Sequence, residues 1–180
     1  PQILLGTYRW ISQALFLTAT TRTGRETIRQ RVEYAYDPDY LVLVECISES
    51  PGSGNRYKTV YRYPFHYNII GVSPNSPRAY ALQWMQEKGI LLAVETLTWK
   101  DNRLTGGDIA DYRIENERLL PDRVLELQLN EPQMGYTFRS FSPSSPAETI
   151  DSAYVVTTEF LHYDSYGNLL QWCVEVWWNL

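Results

Sequence analysis

Apolar and polar residues alternate in short stretches along the first third of the chain. Val32, Tyr34 and Tyr36 fall on one parity and Arg31, Glu33 and Ala35 on the other, and Tyr57, Val60, Tyr61 and Tyr63 are interleaved with Lys58 and Arg62. A period of two sends successive side chains to opposite faces of a strand, so each stretch predicts one aromatic face and one charged face. The stretches are separated by turn chemistry at Thr23-Gly24, at Asp37-Pro38-Asp39 and from Ser50 to Asn55. Thr7 to Tyr63 therefore reads as a β-meander.

After Pro64 the period changes. Ser76 is a candidate helix N-cap and Pro77 a first helical residue, where proline's missing N–H does no harm. Ala81, Trp84 and Met85 stand at helical spacing, and Lys88 and Gly89 suit the C-terminal end. A short helix is expected over about 77–88. Strands are expected again over Ile90 to Trp99, Ile109 to Ile114 and Val124 to Leu129, with a turn at Lys100-Asp101-Asn102 and another at Gly106-Gly107. The Ser- and Pro-rich stretch from Ser140 to Ala147 reads as a loop between strands, and a last hairpin runs from Tyr154 to Trp178, turning over Tyr163 to Asn168. The predicted class is mainly β, an antiparallel meander of hairpins with one short helix.

Composition supports this reading. Fourteen Tyr and six Trp in 180 residues, mixed with Val, Thr and Ile, fit pleated strands better than helices. The length calls for one domain, 1–180. It opens at Pro1 rather than Met, so a fragment or mature segment of a larger protein is expected. A net charge of -5 without runs of Lys or Arg offers no footprint for nucleic acid. The longest apolar runs, Ile90 to Val94 and Leu41 to Val44, are far shorter than the roughly 20 residues that span a bilayer. Cys46 and Cys173 have neither a metal-ligand nor a framework spacing; a cross-strand disulfide and two buried thiols both fit.

The most informative stretch is Tyr163-Asp164-Ser165-Tyr166-Gly167-Asn168-Leu169. In a hairpin Asp164 can accept bonds from backbone N–H groups two or three residues on, Gly167 can take positive φ, and Tyr163 and Leu169 resume the strands. The segment resembles the Tyr-Asp-x-x-Gly-Asn repeat of RHS and YD-repeat proteins, large exported bacterial proteins built from tandem β-hairpins. Tyr61-Arg62-Tyr63-Pro64, Met85, Ile90, Val94-Glu95 and Leu119-Leu120-Pro121 follow the order of landmarks in YD-repeat-like surface proteins of Bacteroidetes. The resemblance runs from Glu33 to Leu169. It departs at His66, where that family usually carries Asp, and at Tyr34-Ala35-Tyr36-Asp37, which lacks the Gly-Asn pair. Turns followed by aromatic strands also recur at intervals of roughly 27 to 30 residues.

The resemblance implies a scaffold with motif residues Tyr61, Tyr63, Pro64, Tyr163, Asp164, Gly167 and Asn168. It also implies export to the cell surface, the outer membrane or the exterior, and partners in the rest of a parent repeat protein or in other proteins. Exposed strand edges would favour self-association. No catalytic, cofactor or metal-binding residue is assigned. His66 and His162 stand beside aromatics without a nucleophile motif, and Cys46 lies in an apolar strand. Asp37, Asp39, Asp108 and Asp111 read as turn residues rather than ligands of a cation that needs about six to eight oxygens. Trp177-Trp178 points one ring to each face of a strand, making an interaction site, for carbohydrate or for a neighbouring repeat. The alternative is a β-barrel or β-sandwich module that holds an apolar or carbohydrate ligand between aromatic faces.

Overall fold

A computed structural model describes residues 3–11, 14–23, 26–50, 52–69, 76–141 and 148–174, with side chains from Arg31 onward. The described residues form twelve strands, one α-helix and a 3₁₀ turn, and the main sheet is antiparallel with its strand order following the chain order, β11 joining directly to β8. The expected mainly-β meander with one short helix is the observed fold. The chain divides into two compact units, the first made of Pro1–Tyr61, Leu97–Thr105 and Glu131–Met134, the second of Arg62–Thr96, Gly106–Asn130 and Gly135–Leu180.

In the first unit, strands β1 (Ile3–Ile11), β2 (Ala14–Thr23), β3 (Glu26–Tyr36), β4 (Leu43–Glu49) and β5 (Arg56–Arg62, to Tyr61) pair in succession. In register Tyr34 lies opposite Leu15 on one side and Cys46 on the other, whereas Glu33 lies opposite Phe16 and Ile47, so the face expected to be charged is mixed. Between Arg31 and Tyr61 no described side chain of this sheet is fully buried. Full burial comes at Leu97 in β6 (Glu95–Lys100) and Leu104 in β7 (Arg103–Glu115). Those strands meet at Asp101 and Asn102, both with positive φ (49° and 64°), the backbone of a tight two-residue hairpin. The expected turn at Gly106-Gly107 is absent, because both glycines lie inside β7 between buried Leu104 and Ile109. Reversal instead occurs at Asn116-Glu117, again with paired positive φ values.

In the second unit, β7 from Gly106 onward pairs with β8 (Arg118–Leu127), β8 with β11 (Tyr154–Tyr163), and β11 with β12 (Leu169–Val174). Short strands β9 (Ser140–Phe141) and β10 (Glu148–Thr149) flank the Ser- and Pro-rich segment, of which 142–147 lie outside the described residues. Helix α1 spans Pro77–Glu87. Its C-terminus closes as the sequence predicts: Gly89 takes φ +65°, its N–H reaches Gln86 O, and Ile90 N–H reaches Met85 O, the paired bonds of a Schellman motif. At the other end Ser76 is the N-cap residue, yet its hydroxyl makes no capping bond. Ala79, Ala81, Leu82 and Met85 are the buried face; Trp84, expected there, is half exposed and lies under Lys88. Tyr67, Ile69, Ala79, Leu82, Met85 and Val94 form one core, with Ile90, Tyr112, Leu119 and Phe141 packed against it. Each of the larger apolar side chains, on full burial, contributes about 1.5–3 kcal/mol. The strand expected from Ile90 begins only at Glu95; Leu91 and Leu92 are exposed in a connection that leaves the helix.

Candidate functional site

The Tyr-Asp motif builds its hairpin through a single carboxylate. Asp164 Oδ1 accepts the N–H groups of Tyr166 and Asn168, each at 2.8 Å, and Oδ2 accepts Asn168 Nδ2 at 2.8 Å. Backbone bonds Asp164 N to Asn168 O and Gly167 N to Asp164 O, both 3.0 Å, close the turn. Gly167 has φ +89°, a conformation that L side chains adopt only with strain. The Asn168 side chain, with the backbone N–H groups behind it, holds the Asp164 carboxyl below the usual aspartate range.

This turn is also tied to the preceding strand. β8 pairs with β11 only from Arg123 to Leu127, opposite Glu159 to Tyr154. Past that point side chains replace the backbone ladder: Tyr163 OH donates to Pro121 O at 2.8 Å, and Arg118 Nη1 donates to Ser165 O at 2.6 Å. Arg113 donates to the carbonyls of Phe160 and Leu161, pairs with Asp122 at 3.0 Å, and holds its guanidinium 5.3 Å from the Tyr163 ring. Pro121, opposite Tyr112, lies beside the register shift between β7 and β8. The tyrosine of the motif therefore has an identifiable task, to fasten the hairpin where the sheet splits.

In two further turns a side chain also accepts backbone N–H groups. Asp37 Oδ1 accepts the N–H groups of Asp39 (3.0 Å) and Tyr40 (2.9 Å), and Leu41 supplies the positive φ (55°) that Gly supplies at 167. After Tyr63-Pro64 the chain makes a 3₁₀ turn, Pro64–His66, in which His66 Nδ1 accepts the Tyr63 N–H at 2.9 Å. Gln86 of the helix donates to Pro64 O (2.7 Å) and Tyr67 O (2.8 Å), fixing this turn to the core. Tyr63 is buried and stacked on Phe65, and Tyr61 is half buried on β5.

The second unit also contains a buried polar network with no counterpart among the sequence expectations. Glu95 is fully enclosed; its Oε2 accepts Arg62 Nη1 (2.7 Å) and Tyr67 OH (2.9 Å), its Oε1 accepts Tyr136 OH (2.7 Å), and Tyr136 bonds Tyr154 at 3.0 Å. Burial first, then the neighbouring carboxylate, pushes the Tyr67 hydroxyl far above its ordinary range; burial likewise raises Tyr136 and Tyr154. Beside it, fully buried Arg139 meets Asp111 and Glu148. Arg123 bridges the same two carboxylates, and Arg78 lies within ion-pair distance of both and of Asp122. The Arg139–Glu148 contact of 2.7 Å is an ion pair without hydrogen-bond alignment, and Arg139 Nη1 has no acceptor. Arg139 stays charged, because Asp111 and Glu148 outweigh its desolvation. The Glu95 and Asp111 carboxylates are occupied by donors, whereas Glu148 Oε1 is buried without a hydrogen-bond partner, and the network clamps the Gly135–Phe141 segment. Glu95 shares its strand parity with buried Leu97, so an acidic residue at an inward position was the available signal.

The other candidates stand apart. Asp108 and Asp111 are strand residues of β7, not turn residues, and Asp111 is held by arginines. Among the described residues no group of three or more His, Cys, Asp and Glu side chains is placed to hold a metal ion. Cys46 and Cys173 are free thiols rather than a cross-strand disulfide, and neither is fully buried: Cys46 is half buried on β4 and Cys173 is exposed on β12. His162 is an exposed β11 residue opposite Gln171. Trp177 and Trp178 lie outside the described residues. Among these residues no helix is long and apolar enough to cross a membrane. No family model matches the chain, and neither a curated protein nor a solved structure matches it.

Proposed function

We propose that this chain is a non-catalytic structural and interaction module of a larger, exported, YD-repeat (RHS-like) bacterial surface protein. The observation that carries the reading is the wiring of the Tyr163–Asn168 turn, where every motif residue has a bonding task in making or fastening a hairpin. A motif so used is a building rule for repeated hairpins, not a reactive centre. The placement of the tyrosines adds support within the second unit: Tyr63 stacks inside the Pro64–His66 turn and Tyr163 fastens its own hairpin, so each serves a separate turn. The alternative module, with aromatics around a common ligand, has no such specific observation in its favour.

Protease shaving of intact cells that make the protein tests the surface role. Release of peptides from the Asp37–Val42 and Ser50–Asn55 turns, without lysis, is the expected result. Peptides obtained only after lysis would overturn it.

A further inference from the structure

The polar network of the second unit is incomplete around Glu148. Arg139 has no exposed surface, yet its Nη1 and Nε make no hydrogen bond, and neither do the buried Arg78 Nε and Glu148 Oε1. Buried donors and acceptors are almost always bonded, so a cluster of unbonded ones marks room for a ligand. Glu148 stands among three guanidiniums, 2.7 Å from Arg139, 3.5 Å from Arg123 and 3.7 Å from Arg78. The first contact is unaligned, and the other two lie beyond the usual hydrogen-bond range. Asp111, by contrast, accepts hydrogen bonds from Arg123 Nε and Arg139 Nη2 and has a side chain only 2% exposed. Glu148 is 14% exposed and sits on β10, a two-residue strand that among the described residues pairs only with β9. We propose that Arg78, Arg123 and Arg139 form a carboxylate-binding site, which Glu148 fills as an internal stand-in until an incoming carboxylate displaces it.

Charge and geometry select the class of ligand. The three arginines face three carboxylates, Asp111, Asp122 and Glu148, and Asp122 is shared with Arg113. When Glu148 leaves, at least one positive charge is unmatched beside the fully buried Arg139, and a single carboxylate restores the balance. A carboxylate also matches the planar fork of a guanidinium, whereas a dianion would add repulsion against Asp111. The unused donors of Arg139 and Arg78 offer bonds that Glu148, fixed to its strand, does not take, so a freely oriented carboxylate gains where Glu148 does not. Arg78, with a side chain 36% exposed, is the open side of the site. The carboxylate belongs either to a small free acid or to an acidic segment of another protein, and the titrations below separate the two. This inference does not rest on the repeat reading, which concerns hairpins and not this cluster.

Nuclear magnetic resonance of the arginine Nε–H groups reads the site directly in the folded 180-residue chain. Sodium formate and a hexaglutamate peptide are titrated into the unaltered chain and into Glu148→Ala, with sodium chloride at matched ionic strength as the control. The Arg78, Arg123 and Arg139 signals should shift saturably with a carboxylate and not with chloride. The apparent dissociation constant should be at least about tenfold lower for Glu148→Ala, in which no tethered carboxylate competes. Arg78→Ala should weaken binding by at least about tenfold. Saturation at lower concentration by the peptide than by formate identifies an acidic segment as the ligand, and the reverse order identifies a free acid. Circular dichroism verifies that each variant is folded; Glu148→Gln, which keeps the volume and removes the charge, replaces Glu148→Ala if the latter is not. The proposal is overturned if neither acid gives a saturable shift in the unaltered chain, if chloride reproduces the shift, or if binding is equally tight with and without the Glu148 charge.

Discussion

Glu95 offers the sharpest energetic test of the second unit. Its carboxylate has no exposed surface and accepts three bonds, from Arg62, Tyr67 and Tyr136. Glu95→Ala leaves a guanidinium and two hydroxyls facing a cavity. Arg62 keeps one acceptor, Arg139 O at 3.2 Å, and Tyr136 keeps Tyr154, so the loss falls toward the lower end of the 3–5 kcal/mol expected when one partner of a buried pair is removed. About 3 kcal/mol is a large share of the roughly 5–15 kcal/mol that holds a domain folded. At about 2–4 °C per kcal/mol, the melting temperature should fall by roughly 6–12 °C. Glu95→Gln differs in kind. An amide nitrogen at the Oε1 position can donate to Tyr136, which then donates to Tyr154, while the remaining oxygen keeps Tyr67 and Arg62. Only the charge of the Arg62 pair is lost, so about half the effect is expected. Arg62→Met combined with Glu95→Ala should cost less than the two single changes added together, because no charge is then left unpaired. Thermal melts by circular dichroism with urea titrations measure the series. A Glu95→Ala cost below about 1 kcal/mol, or equal costs for Ala and Gln, would refute the reasoning.

Three further outcomes follow from the same contacts. Tyr67, Tyr136 and Tyr154 have hydroxyls raised above their ordinary range in the folded chain, so folded and unfolded states bind protons alike below about pH 10 and the unfolded chain loses them first above it. Stability should be flat on that account up to about pH 10 and fall beyond it, and Tyr136→Phe should flatten the fall in an alkaline urea series. Tyr163→Phe removes the bond to Pro121 O and should cost about 0.5–1.5 kcal/mol in urea unfolding, with faster protease nicking at the 163–168 turn. Gly167→Ala should cost about 1 kcal/mol through its positive φ, for the space at Gly167 is sufficient, the nearest side-chain atoms lying 3.6 Å from an added Cβ.

Local codes were legible in the sequence, and long-range ones were not. The helix and its Gly89 closure, the Asp37 and Asp164 turns and the Asp101-Asn102 reversal are each encoded within a few residues. Gly106-Gly107 misled because a glycine pair signals a turn only where the flanking strand ends, and here Leu104 and Ile109 continue inward on the same strand. Asn116-Glu117 escaped because neither residue is glycine, although both take positive φ. Ile90 to Val94 is apolar without being a strand; Val94 belongs to the helix core and Ile90 packs against it, while Leu91 and Leu92 are exposed, and no period distinguishes the two cases. The Glu95 and Arg139 network was out of reach for another reason. It joins residues up to 77 positions apart, and a charged side chain reads as solvent-facing until its partners are known.

The central claim, that this is a hairpin-built segment of a larger exported surface protein, is tested most directly by the intact mass of the native protein, isolated with an antibody raised against this chain from the cells that make it. The account predicts a mass several times the 21.0 kDa of the 180 residues. A native mass near 21.0 kDa would contradict it.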